Sequence, residues 1–227
     1  LEFENNDTAT QIDINFNFPF YLNNYSQCLV SPNGWIGFEN DNDGWNNQSV
    51  FDEDSPNGAI FGFWDDLNPE NSNNEVASGE VKFHSNSERL VVWYDNVIHW
   101  TSLDRIYDFQ IILYATGEIR VNYRNMQGDV TSGTIGIKSS TGEYGLEVVY
   151  NDVFINNQLS VAFNTAEWLT LDFISGYQSQ IPYGLSSIYR LNVDTEDLLE
   201  GQYIGYIVNN TNASNLVDIL PVELNTQ

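Results

Sequence analysis

The sequence predicts an all-β protein: an antiparallel, jelly-roll-like β-sandwich over residues 1–165, then a smaller immunoglobulin-like sandwich over 166–227. Three observations predict it. Apolar residues alternate with period two in run after run, Gly- and Asn-containing turn signals separate the runs, and no window carries a helical period of 3.6. The 227 residues are 41% hydrophobic and 14% aromatic, enough apolar surface for a packed core.

Residues 11–20 open the pattern. Ile12, Ile14, Phe16 and Phe18 fall on one face and Asp13, Asn15 and Asn17 on the other, which describes a half-buried strand. Residues 26–30 and 35–38 follow as two strands around Ser31-Pro32-Asn33-Gly34, where Pro presets a turn and Asn-Gly accepts positive φ. After a polar stretch over 39–58, Ala59-Ile60-Phe61-Gly62-Phe63-Trp64 is apolar enough for a strand buried on both faces, and it stops at Asp65-Asp66. Residues 79–84, 90–94, 109–114 and 118–123 are further strands, the last two joined through Ala115-Thr116-Gly117. Residues 133–137, 145–150 and 159–163 complete the set. Short turns imply antiparallel pairing, and so many strands imply two packed sheets. The expected core holds Ile14, Phe16, Trp35, Phe63, Trp64, Trp93, Phe109, Ile111 and Leu113.

The register changes near Asn164-Thr165-Ala166-Glu167. Beyond it, 168–173, 187–193, 202–208 and 216–224 read as four strands of a second domain. At about 60 residues such a domain is marginal alone, so it is expected to pack on the first or to continue into further sequence. Residues 195–200 allow one helical turn before Gly201.

Seven Lys and Arg against 32 Asp and Glu give a formal net charge of −25. Nucleic acid and anionic membrane surfaces are repelled at long range, so neither is an expected partner, whereas cations are. A highly soluble, solvated surface accounts for the same charge. The single cysteine, Cys28, forms no intrachain disulfide and sits in an apolar run, which suits a small core residue. No stretch approaches the roughly 18 apolar residues of a membrane span, so no membrane insertion is expected. The N-terminus lacks a basic segment followed by an apolar one, as in a mature secreted chain or an excised piece.

Five ordered blocks carry a family resemblance: Phe18-Pro19-Phe20-Tyr21 with Tyr25-Ser26, Val30 through Phe38, Phe63-Trp64-Asp65-Asp66-Leu67-Asn68-Pro69, Val91-Val92-Trp93-Tyr94, and Phe109 through Tyr114 before Thr116-Gly117. They resemble a repeated family of extracellular β-modules in large secreted proteins of Bacteroidetes-type bacteria, distantly nidogen-like. Trp168-Leu169, Ser175-Gly176, Gly201-Gln202-Tyr203-Ile204-Gly205 and Leu220-Pro221-Val222-Glu223-Leu224 resemble the short immunoglobulin-like repeats that follow such modules. In such proteins the pair lies downstream of a subtilisin-like protease and upstream of a type IX secretion signal. The resemblance therefore implies an accessory or cargo segment, secreted or on the cell surface, flanked by other domains of a larger protein.

Catalytic patterns are missing. There is no Gly-x-Ser-x-Gly elbow, and His84 and His99 lack the His-Glu-x-x-His spacing of a zinc protease. His84 reads as a turn residue and His99, between Ile98 and Trp100, as a packing residue. A glycosidase needs two carboxyl groups across a sugar site, and adjacent Asp65 and Asp66 converge only in a turn. Calcium is the sharper expectation, because loops rich in Asp, Asn and carbonyls supply its six to eight oxygen ligands. Asp65, Asp66, Asn68 and Glu70 form the better candidate loop, with a turn capped by Asp65 or Asp66 as the plain alternative. Asp41 and Asp43 stand in a stretch like the start of an EF-hand loop, but Val50 occupies the position of the closing Glu. Trp45, Trp100 and Tyr177 lie in contexts where an exposed ring can stack on a sugar. Asp7-Thr8-Ala9 resembles an O-glycosylation pattern, with Thr8 as acceptor. These readings lead to a non-catalytic accessory or adhesive module that binds a glycan or protein ligand. A secreted hydrolase using a carboxylate pair, and a ligandless spacer, are the alternatives.

Overall fold

The computed structural model describes residues 1–21, 23–39, 44–69, 78–164, 169–176, 188–195, 201–210 and 217–226. Contacts divide the chain into two compact units, Leu1–Asn164 and Thr165–Gln227. Every regular element among the described residues is a strand.

In the first unit, β1 (Thr10–Phe20), β2 (Asn23–Val30), β3 (Trp35–Gly37), β4 (Ala59–Trp64), β10 (Thr134–Lys138) and β11 (Gly145–Tyr150) form one six-stranded antiparallel sheet in that order. The second sheet runs β12 (Ser160–Phe163), β9 (Ile119–Gln127), β8 (Ser102–Tyr114), β7 (Arg89–His99) and β5 (Leu67–Asn68), with β6 (Glu80–Ser85) also on β7. The sheets are antiparallel and neither closes into a barrel, as expected of a sandwich. Successive strands stay within one sheet as meanders, β1 to β4 and β6 to β9, because short turns favour pairing with the next strand over crossing to the other sheet.

The core lies between the sheets, where alternation had placed it. Ile12, Ile14 and Phe18 from β1 meet Leu90, Val92 and Tyr94 from β7 and Phe109, Ile111 and Leu113 from β8. Tyr94 stacks on its cross-strand neighbour Phe109 with centroids 4.5 Å apart, and Phe63 of β4 packs edge-on to Tyr107 of β8 at 4.7 Å. Two phenols stitch the sheets together: the Tyr94 hydroxyl donates to the Ser31 carbonyl at 2.6 Å, and that of Tyr123 to the Gly62 carbonyl at 2.6 Å. Burial raises both phenol pKa values well above the usual tyrosine range, so both remain donors. Cys28 is buried there too, its thiol pKa pushed up to about 12 by burial. Gly62 leaves the room that Ile111 fills, since a Cβ at that position would stand 2.6 Å from its Cγ1.

Trp35 and Trp64 are fully buried, as expected, in a second core cluster with Val50, Ala59 and Phe61. Two expectations are corrected. Trp93, expected in the core, is half-buried on the outer face of the second sheet, because it alternates with the inward-facing Val92 and Tyr94 in the regular first half of β7. Phe16 is partly buried, beside the irregularity in β1 between Asp13 and Phe18.

In the second unit the four expected strands form two hairpins. β13 (Leu169–Ser175) pairs with β14 (Ile188–Val193), and β15 (Gly201–Asn210) with β16 (Val217–Thr226). The helical turn expected over 195–200 falls, beyond Thr195, outside the described residues.

Candidate functional site

The acidic pair singled out in the sequence lies where the chain crosses between sheets, after β4 of the first and before β5 of the second. Asp65 is buried, and three donors meet its carboxylate. Ser132 Oγ donates to Oδ2 at 2.6 Å, the backbone N–H of Asp66 to Oδ1 at 3.0 Å, and His99 Nε2 lies 3.4 Å from Oδ1. His99 comes from the end of β7, which pairs with β5 through Leu67 and Asn68. Asn33, in the turn between β2 and β3, ties the crossover down. Its Oδ1 accepts from Leu67 N at 2.9 Å, and its Nδ2 donates to the Asn6 carbonyl and to Asp7 Oδ1. Gly34, at φ 86°, brings that turn against the carbonyl of Phe63, where a Cβ would sit 1.9 Å from the oxygen.

This wiring sets what the cluster can do. His99 Nδ1 accepts the Thr101 backbone N–H at 3.1 Å, so the hydrogen-bond network assigns the neutral ring's proton to Nε2, where it faces Asp65. A serine, a histidine and an aspartate thus stand together in the wrong order for acyl transfer. The serine bonds the carboxylate instead of the imidazole, and the ring's acceptor nitrogen is already engaged. The Asp65 carboxylate holds a turn together.

Asp66 is different. Half-buried, it has no hydrogen-bond donor on its carboxylate among the described residues, and its pKa is pushed up to about 6 by burial, opposed by His99 and reinforced by Asp7 and Asp65. Asn68 is buried in β5, and its carbonyl accepts from Ser78 Oγ at 2.5 Å. Glu70, Asp41, Asp43 and Tyr177 lie outside the described residues. Among those described, no group of three His, Cys, Asp or Glu is placed to hold a metal ion together. Of the candidate stacking rings, Trp45 is exposed and Trp100 partly buried, its backbone N–H bonded to the Asp66 carbonyl at 2.8 Å. Thr8 sits near the N-terminus, its hydroxyl accepting from Asn5 Nδ2 at 2.9 Å. Asp65 and Asp66 therefore belong to one place, against which Asn33 also holds Asp7. Asn33, His99 and Ser132 were not readable as partners of Asp65, since 32 to 67 residues separate them from it along the chain.

A second arrangement spans the outer face of the second sheet. Register places Lys82, Trp93, Gln110, Asn122 and Ser160 in one row across β6, β7, β8, β9 and β12. Trp93 Nε1 donates to Asp108 Oδ1 at 2.9 Å, and Lys82 Nζ and the Arg124 guanidinium lie 5.3 and 5.2 Å from its ring centroid. Lys82 bonds Asp95 Oδ2 at 2.8 Å, and Arg124 bonds Asp108 Oδ2.

A family model described as NIDO related matches residues 1–170. No curated protein and no solved structure matches the chain.

Proposed function

The chain belongs to the NIDO-related family, and from that premise we propose that it is a non-catalytic extracellular accessory or adhesive module that binds a glycan or protein ligand. The observation that carries this is the inward wiring of Asp65. Among the described residues, the place where serine, histidine and aspartate converge spends its hydrogen bonds on the sheet crossover, with the acceptor nitrogen of its imidazole already engaged. In this reading the module is secreted or displayed on the cell surface as part of a longer protein. The two C-terminal hairpins are strands of an immunoglobulin-like repeat, and the whole is type IX secretion cargo. Turnover of peptides, esters and glycosides, together with binding to glycan and protein arrays, tests it. No turnover and saturable binding to an array component are expected. Turnover abolished by replacing Asp65 or Asp66 overturns the reading in favour of a hydrolase.

Asp66 favours a second reading, in which calcium binds at the crossover. A half-buried carboxylate without a donor, near Asp7 and Asp65, gains from a divalent cation that relieves the repulsion. Its ligands would be Asp66, nearby carbonyls and Glu70, with Asn68 and Asp65 positioning the loop. Binding at one hundred times Kd stabilises the fold by about 2.7 kcal/mol. The test is a melt of wild type and Asp66→Asn in calcium and in chelator. An unchanged wild-type midpoint, or a full calcium shift in the variant, removes the site.

A further inference from the structure

Basic side chains are scarce in this chain, and they are not scattered. Of the seven, Lys82, Arg89, Arg120 and Arg124 lie on outward positions of β6, β7 and β9, on one face of the second sheet. The strands of the first sheet carry one, Lys138, and it is buried, bonded to the Ser55 hydroxyl and to carbonyls of Asp52 and Ser55. With a net charge of −25, the molecule repels an anion from most directions. At this face five acids, Glu80, Asp95, Asp104, Asp108 and the Arg120 partner Glu118, stand against the four bases, so it carries only one unit of the excess negative charge, and Asp108 is itself buried beneath Trp93 and Arg124.

The same face is rich in hydrogen-bond donors that the fold does not use. Of the three ammonium donors of Lys82, Asp95 takes one and Glu80 another. Arg120 gives Nε and Nη2 to Glu118 and keeps Nη1, and Arg124 keeps Nε and Nη1. The Gln110 side chain has no partner among the described residues. Asn122 accepts from Ser160 Oγ at 2.7 Å through Oδ1, leaving its amide donors outward. The strands hold Lys82, Trp93, Gln110 and Asn122 in one row with a spacing of about 4.8 Å, close to the length of a sugar ring in an extended chain, and Arg120 and Arg124 flank Asn122 along β9. Ion pairs to the sheet's own carboxylates hold the basic side chains in place before any ligand arrives, which lowers the entropy cost of binding.

Resting on the reading of this chain as a glycan- or protein-binding module, we infer that this face binds an acidic glycan, one that carries uronate-type carboxylates. Lys82, Arg120 and Arg124 meet its carboxylates, and Gln110 and Asn122 its hydroxyls. A planar guanidinium is the residue type best matched to a carboxylate. A neutral sugar is disfavoured because Lys82 and Arg124, not open solvent, lie over the Trp93 ring. Duplex DNA is disfavoured by its charge density, one phosphate per ~1.7 Å, against a protein of this net charge.

The experiment measures binding of the whole chain to immobilised polygalacturonate, dextran and duplex DNA across a sodium chloride series, in chelator so that calcium cannot bridge two acidic polymers. Saturable binding to polygalacturonate alone, weakening as salt rises, is expected. Arg120→Gln and Asn122→Ala each weaken it about tenfold with an unchanged melting midpoint, since neither side chain supports the core. Gln110→Ala, which removes no internal bond, checks the same point if either variant folds poorly. Equal binding to DNA or dextran, or variants that bind as wild type does, overturns the inference. Failure on polygalacturonate with capture of another glycan or a protein on an array overturns this inference and leaves the module reading standing. Failure on every surface overturns both.

Discussion

The two outer faces of the sandwich each carry tryptophan, and they treat it in opposite ways. On the first sheet the chain folds residues 44–58 over the face, and Trp35 and Trp64 are fully buried with Val50, Ala59 and Phe61. Both indole N–H groups donate to one oxygen, the Gly44 carbonyl, at 3.1 and 2.8 Å. On the second sheet no described segment covers the face, and Trp93 stays half-buried with its N–H on the Asp108 carboxylate and cations around its ring. One face has become a second small core. The other has remained a surface, built from ion pairs held in order by an aromatic ring. Identical strand chemistry yields a core or a recognition face according to whether the chain spends a loop on it.

The largest effect that tests this contrast is Trp64→Ala. Removing a fully buried indole leaves a cavity beneath the 44–58 loop and deprives the Gly44 carbonyl of one donor, so a loss of about 3–5 kcal/mol is expected in denaturant unfolding. A loss under about 1 kcal/mol would show that the loop does not form a core over that face. Trp93→Ala is expected to cost less, about 1–2 kcal/mol, because the ring is half exposed and its loss chiefly frees Asp108 of one hydrogen bond. Equal losses in the two variants would break the comparison.

The smallest effect lies at the crossover that joins the sheets. Burial raises the Asp66 pKa to about 6, above its ordinary value near 3.8, so the folded state holds the proton more tightly than the unfolded chain does. Below about pH 4 both states are protonated and Asp66 costs nothing. As pH rises through about 6 the folded state takes on a half-buried charge and loses stability. Asp66→Asn in chelator should therefore raise the melting midpoint at pH 7.5 relative to wild type, by a margin that shrinks to zero as pH falls below about 4. A constant difference across this range would mean that the carboxylate's charge is not what the crossover disfavours.

Much of the first unit was legible because period-two alternation is a local property. Ile12, Ile14 and Phe18 declared the inner face of β1, and Ser31-Pro32-Asn33-Gly34 declared the turn from β2 to β3, since φ at Gly34 and the Ser31 N–H to Trp35 carbonyl bond need only neighbouring residues. β5 escaped notice. Two residues give no period, and Leu67-Asn68 is a strand only because the end of β7 lies beside it. The far half of β7 and the near half of β8 were also missed, as irregular pairing around Asn96, at φ 56°, breaks the alternation there.

By itself the sequence determined the class of fold, the antiparallel pairing and the position of the acidic pair at a strand's end, because strand patterning and turn chemistry act over a few residues. Only the tertiary structure decided what those residues do. Whether Asp65 would meet a cation, a substrate or a histidine depended on which loop the β7 edge delivered to it, and the answer was His99 with Ser132. Whether Trp64 and Trp93 would be core or surface depended on a covering loop whose polar composition gives no sign of its place. Burial and partnership are set by contacts between segments far apart in the chain, and no local pattern encodes those.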